Sequence, residues 1–337
     1  MTPAAQLETL FVSLALGAVF ARFEFGFTGA FRAWLREGDG RALAATFAIP
    51  AIAALVVLPI GASADGYARF VSPINLSLGI GAVLFGVGMQ VANGCGSGTV
   101  VAAGQGSRRM LLALPFFCLG GVMGSLLLPY AEALPGLGPV DLVEYFGPWG
   151  GLVVMEALLG AGALLVARGA WPDRRRIMVA ALIGILAAVL FLVSGQPWGI
   201  TMGLTVMGAK GLQEIGLDLG ATAVWSAEWA QRLLREPFTL MPGALSDVGL
   251  LLGAFAATVL AGRFRHRATI GWRGASGAIL GGLFMGIGAR LSYGCNIGAF
   301  ASGAASGSLH GLAWFVAVLP GCAAGIRLRR VFGLEPG

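Results

Sequence analysis

Charge is what this chain has least of. Only 11% of its 337 residues are Asp, Glu, Lys or Arg, against about a quarter in an ordinary soluble domain. That shortfall excludes a water-soluble globular protein. Histidines number two and cysteines four, with no CxxC pair. His266 and His310 lie far from the cysteines in sequence and are expected at the surface, so a zinc site is disfavoured. No nucleotide-binding loop and no sodium site is evident, so no cofactor is expected and the energy source is not readable. The net charge of +6 does not gather into a basic stripe with interleaved aromatics, which argues against a nucleic-acid partner.

Apolar side chains make up 57% of the sequence, mean hydropathy is +0.83, and glycines number 55. Glycine weakens soluble helices but suits membrane helices that pack through small residues, so a helical bundle in a lipid bilayer is expected. A bilayer core of about 30 Å takes about 20 apolar residues per helix. Nine stretches qualify, roughly Leu7 to Ala21, Ala42 to Ile60, Val71 to Ala92, Met110 to Tyr130, Trp149 to Val166, Ile177 to Gly195, Ala244 to Ala261, Gly274 to Ala289 and Gly311 to Ile326. The first has no basic residue before it and "ARFEF" after it, so it reads as a span and not a cleaved signal. The connections after spans one, three, five and seven, with the C-terminus, carry 17 of the 22 Lys and Arg, from Arg22 through Arg108, Arg174 and Arg263 to Arg330. By the positive-inside rule the N-terminus is periplasmic and the C-terminus cytoplasmic, as an odd number of spans requires.

Two stretches 200 residues apart resemble each other. "GVGMQVANGCGSG" from Gly86 and "GIGARLSYGCNIG" from Gly286 share two early glycines, a Gly-Cys pair and a last glycine. A weaker match pairs "GFTGA" at Gly26 with "GITMG" at Gly199. Each half then reads as span, glycine loop, two spans, glycine-cysteine loop, span. The expected fold is an all-α integral membrane protein of about nine transmembrane helices plus four re-entrant loop or half-helix elements, in two inverted-topology repeats. Residues 1–148 form the first repeat, 149–176 the connecting helix and 177–337 the second. In such folds broken helices meet at the midplane, where half-helix N-termini offer N–H groups to an anion.

Cys95 and Cys295 are the candidate path residues. A protonated thiol is a weak donor and a soft surface, suited to touching and releasing an anion with a sulfur end. Gly94, Gly96, Gly98, Gly294 and Gly298 let backbone approach the solute, Ser97 and Asn296 add polar contacts, and Gly26, Thr28 and Thr201 belong to the other two loops. Arg290, five residues before Cys295, is a candidate anion ligand or an interfacial cation; Lys210 reads as interfacial. Glu156 is the acid that stands inside an apolar run, buried or part of a proton path. Cys118 and Cys322 fall within spans and are expected in the core, and a Cys95–Cys295 disulfide would close the path.

"GVGMQVANGCGSGT", "GIGARLSYGCNIGAFASGAASGSLHG", "FGFTGAFR" and "PWGIT" resemble the hallmark stretches of the YeeE/YedE family of bacterial membrane proteins, in the order of its YeeE thiosulfate-uptake branch. The resemblance runs from Leu7 to Arg330. It implies a monomeric permease of the inner membrane, not an enzyme, that admits thiosulfate past cysteine thiols by S–H hydrogen bonds. It also implies coupling to a small cytoplasmic TusA-like sulfurtransferase. Cys95 and Cys295 match two of the family's three path cysteines. The third lies in a pattern like R-x-x-F-C, and here Arg22, Phe23, Glu24 and Phe25 are followed by Gly26. Thr28 is the nearest hydroxyl. The rival readings are transport of another sulfur or selenium species, a membrane sulfurtransferase using a Cys persulfide, and a structural membrane subunit. The second is disfavoured because neither loop cysteine has a His or Lys beside it.

Overall fold

The computed structural model describes residues 1–264 and 270–335; His266, Arg265 and Arg267 of the sequence reading lie outside them. In chain order the elements are α1 Pro3–Phe23, α2 Phe27–Glu37, α3 Arg41–Ala45, α4 Ala48–Ser63, β1 Pro73–Asn75, α5 Leu76–Ala92, α6 Gly96–Gly104, α7 Arg108–Glu132, β2 Gly136–Pro139 and α8 Leu142–Ala167. They continue with α9 Arg174–Ser194, α10 Thr201–Glu214, α11 Glu228–Arg235, α12 Pro242–Leu260, α13 Trp272–Leu291, a π-helix Asn296–Ser302, α14 Gly303–Ala305 and α15 His310–Leu328. Nine helical stretches among the described residues are long and apolar enough to cross a membrane, and the chain is an all-α integral membrane protein.

Helix starts follow capping chemistry. Asn75 Oδ1 accepts from Leu78 N–H at 2.9 Å and Asp173 Oδ1 from Arg176 N–H at 2.9 Å, each satisfying a first-turn donor. Two boundaries differ from the sequence reading. The third span starts at Leu76, not Val71, because Pro73–Asn75 pairs antiparallel with Gly136–Pro139. The fifth starts at Leu142, bent at Gly147 (φ 70°) before Pro148.

Glycines set how the helices meet. Gly81 of α5 lies against Gly288 and Leu291 of α13, and Gly88 against Gly281 and Met285, so these two helices run antiparallel. Gly282 and Gly286 of α13 meet Ala113 and Phe117 to Gly121 of α7 in parallel register; Gly86 and Gly325 likewise bring α5 and α15 together, and Gly17 and Gly253 bring α1 and α12 together. At each, neighbouring backbone occupies the place a methyl group would take. These directions are the ones that nine alternating crossings impose. The contacts also exchange between halves: α7 on α13 is answered by α15 on α5, and α1 on α12 by α9 on α4.

Two features anchor the ends of this bundle. Phe31, Phe47, Phe300 and Phe315 stack with centroids 4.9 to 5.5 Å apart, tying α2, α4, the π-helix and α15 together; such pairs contribute about 0.5–1.5 kcal/mol each. Arg69 binds both carboxylate oxygens of buried Asp141 at 2.6 Å and the Ser306 carbonyl at 3.1 Å, so the charge is fully engaged where it is shielded from water.

Candidate functional site

Both cysteine loops are built the same way. Asn93 (φ 68°) ends α5 and Tyr293 (φ 61°) ends α13 in the left-handed region, a glycine follows, and the cysteine then stands in extended backbone as the N-cap of the next helix. The helices they start differ. Cys95 opens the ordinary helix α6, with its Sγ accepting from Gly98 N–H at 3.3 Å and lying 3.4 Å from Ser97 Oγ. Cys295 opens a π-helix, where Phe300 N–H reaches the Cys295 carbonyl at 3.3 Å and the wide turn leaves room in its first coil. The loops meet: a methyl group on Gly96 would stand 3.1 Å from the Cys295 sulfur. Both cysteines are buried, at 1% and 0% exposure, and all four cysteines are free thiols.

The junction carries polar atoms without partners. Asn296, 0% exposed, has neither its Oδ1 nor its Nδ2 hydrogen-bonded, and Thr99 Oγ1 and both carboxyl oxygens of Asp247 have no close partner either; Thr28 Oγ1, away on α2, is likewise unpartnered. Buried polar groups are usually paired, so such a concentration points to a place that receives something polar. Gly94 packs on Thr99 and Met110, and the Gly294 carbonyl accepts from Ser292 Oγ at 3.2 Å. Gly298, though buried, faces open space where a side chain would stand, as do Gly26, Gly29 and Gly199. These are not the glycines that press helices together.

Two cavities lie at the other two glycine loops, one at Gly199 and one at Gly26. One of 260 Å³ is lined by Trp198, Gly199, Met202, Gly203, Ala244 and Ser246. The other, of 570 Å³, is lined by Arg22, Phe25, Gly26, Gly29, Arg175, Arg176 and Arg263, with Glu24 and Asp173 among them. Between them stand rings in sequence. Trp198 of the first cavity meets Phe20 edge to face at 6.1 Å, and Phe20 meets Phe25 of the second at 5.7 Å. Ser302, on the π-helix, donates to the Trp198 carbonyl at 2.6 Å, which joins the Cys295 loop to this wall.

The remaining sequence candidates are placed as follows. Thr201 is the first residue of α10, its carbonyl accepting from Thr205 Oγ1 at 2.7 Å. Arg290 does not face the thiols; it donates to Ser125 Oγ at 2.8 Å and to Met202 Sδ at 3.9 Å, and Met202 lines the smaller cavity. Lys210 Nζ donates to the carbonyls of Leu234 and Glu236, both at 2.7 Å, closing the C-terminal end of α11. Cys322 is buried and Cys118 partly so. His310, expected at the surface, is 0% exposed, its Nδ1 against Ser308 Oγ at 2.7 Å and its ring against Gly303. The chain from the π-helix to α15 folds inward instead of running to water, which is why.

Sequence reasoning missed Asp247. It named Glu156 as the acid in an apolar run, yet Glu156 is only half-buried while Asp247, in "ALSDVGLLLGAF", is 3% exposed. An acid within a span was the available cue. The arginines around Gly26 were also missed as a group, because they come from three separate connections.

The sulphur transport family model matches residues 22–324. The thiosulfate transporter TsuA of Spirochaeta thermophila is 28% identical over 320 residues, 87% of this chain and 90% of that protein. The probable transporter YedE of Escherichia coli is 34% identical over 139 residues, 40% of this chain, and its Salmonella typhimurium counterpart 33% over 135. Those matches span 32% of the length of each YedE protein. With the family model covering nearly all of the described bundle and its cysteine loops, the chain belongs to the sulphur transport family, the YeeE/YedE family of membrane proteins.

Proposed function

We propose that this protein is a permease of the bacterial inner membrane that takes up thiosulfate, or a closely related sulfur anion, along a path through Cys295 and then Cys95. The observation that carries this is the junction itself: two cysteine loops in contact, with the unpartnered buried polar atoms of Asn296 and Thr99 in them. The antiparallel run of α5 and α13 and the exchange of helix contacts between halves support two inverted repeats, 1–148 and 177–337, joined through 149–176. With the N-terminus periplasmic and the C-terminus cytoplasmic, the smaller cavity is the outer mouth. The larger, arginine-lined cavity is the inner one, and it holds an anion briefly by charge.

Thiols suit the middle of this path because a donor that binds weakly releases its cargo, and conduction requires release. The Trp198–Phe20–Phe25 rings keep the two mouths apart when no anion is present. The protein acts as a monomer, and the family resemblance supports delivery to a TusA-like sulfurtransferase. Thiosulfate uptake into proteoliposomes, or growth of a sulfur-auxotroph strain on thiosulfate, is the test. Wild type is expected to support both, and Cys95→Ala and Cys295→Ala to lose uptake; normal uptake by both variants overturns the path. A second reading, the same path for another sulfur or selenium species, is favoured by Gly26 standing where the family's third cysteine belongs and opening onto empty space. Competition of labelled thiosulfate with selenite and sulfide separates the two.

A further inference from the structure

Asp247 is a buried acid that the path of thiols does not use. It lies on α12, 3% exposed, with no close hydrogen bond to either carboxyl oxygen and only a loose backbone contact from Leu204 N–H. Its Oδ2 fills the place where a side chain on Gly203 would stand, in the first turn of the 14-residue helix α10. That turn has no side-chain cap: Ile200 precedes it, Leu204 N–H is the first to find an acceptor inside the helix, at 3.2 Å on Ile200, and the N–H groups before it have none there. A helix start of this kind is a ready anion site, and the carboxyl group already occupies its edge.

No cation answers Asp247 among the described residues. α12 packs on α1, α6, α10 and the 238–240 turn. On α1 the charges are Glu8 and Arg22 near opposite ends, and on α6 the only titratable group is the capping Cys95. On α10 Lys210 is held by the Leu234 and Glu236 carbonyls, and Glu214 ends the helix. Glu236 precedes the 238–240 turn and pairs with Arg232, and Arg290 of α13 reaches Met202. An ionised carboxylate in such surroundings repels an arriving anion and bears an uncompensated burial cost; a proton removes both.

We propose that Asp247 is a proton-binding site just outside Cys295, and that its protonation frees the N-terminus of α10 to receive the substrate anion, coupling anion uptake to proton uptake. The carboxylate takes one proton from a hydronium ion in the outer cavity, whose O–H bond breaks to leave water, and becomes a neutral carboxyl; no other bond changes. The coupling rests on the transport reading; the proton site does not, and is tested without substrate.

Infrared difference spectra of the full chain in lipid, acidic against alkaline, are expected to show a carboxylic-acid C=O band that D247N lacks and D247E shifts. In proteoliposomes, wild-type thiosulfate uptake is expected to fall about tenfold per pH unit above the midpoint of the group that must be protonated, and to move protons with the anion. D247N uptake loses this pH dependence and moves no protons, while D247E keeps both. A band unchanged in D247N overturns the proton site. Uptake with proton movement unchanged in D247N overturns the coupling alone. Wild type that takes up no thiosulfate at any pH overturns the transport reading and, with it, the coupling, while the infrared band still decides the proton site.

Discussion

The two cysteine loops begin alike and end differently. Both sulfurs meet backbone N–H groups, Cys95 that of Gly98 and Cys295 those of Gly298 and Ile297, but Cys95 also has Ser97 beside it and a regular helix after it. Cys295 opens a π-helix, and its neighbour Asn296 keeps donor and acceptor unused in a fully buried place. Extra turn width and unmet hydrogen bonds cost stability, and they are kept where binding recovers them. The difference teaches a division of labour. On the proposed transport path the Cys295 loop is the one expected to receive the anion, and the Cys95 loop, held in one geometry, the one expected to pass it on.

The contact between the loops is the first place to break this. Gly96→Ala sets a methyl group 3.1 Å from the Cys295 sulfur, and overpacking of this kind costs about 1–3 kcal/mol. Uptake is expected to fall by more than about tenfold, while thiol accessibility to a small alkylating reagent rises at Cys295. Equal uptake by G96A and wild type would show that the two thiols need not be in register.

Asn296 gives the next largest effect, and its sign separates function from structure. Replacing a buried, unpartnered amide by a similar apolar side chain removes a desolvation cost of about 1–3 kcal/mol. Asn296→Leu is therefore expected to raise the melting temperature of the detergent-solubilised protein while lowering thiosulfate uptake. A purely structural asparagine would lower both. Ser97→Ala is milder, because Cys95 keeps its Gly98 bond; the loss of one weak partner is expected to reduce uptake about two- to fivefold.

The legible parts of this molecule are those that lipid dictates. Every turn of a spanning helix must be apolar, so nine spans could be read from hydropathy. The Gly-Cys loops were legible because they recur. The β1–β2 clip was not: Pro73 and Gly136 to Pro139 carry no alternating pattern, and the pairing depends on two connections that meet only after folding. The π-helix has no sequence signature, since "NIGAFAS" would serve equally in an α-helix. Asp247 escaped because a single acid near the start of span seven barely dents the hydropathy of the window around it, and what sets it apart is what surrounds it.

A final asymmetry lies where α5 and α13 end, and it predicts the smallest effect. Asn93, which ends α5 before the Cys95 loop, accepts through Oδ1 from Arg32 at 3.2 Å and from Arg329 at 2.9 Å. Arg329 also binds the Gln90 carbonyl at 3.0 Å and Glu335 at 2.8 Å, and Glu335 reaches Arg36 of α2. Tyr293, the counterpart of Asn93, instead meets the single neutral partner Asn75 at 2.8 Å. The hydrogen bond from Arg329, helped by Arg36, holds the Glu335 carboxyl below the ordinary glutamate range. Its folded value is therefore lower than its unfolded one, near about 4.3. The stabilisation is present above that value and fades as the pH falls through the lower folded one. Glu335→Gln is expected to lower the melting temperature slightly at neutral pH, with the gap to wild type closing as the pH drops below about 4. The same variant should leave alkylation at Cys295 unchanged and modestly increase it at Cys95. Equal change at both thiols would show that the tail braces the whole bundle and that the rigidity of the Cys95 loop comes from its own cap alone.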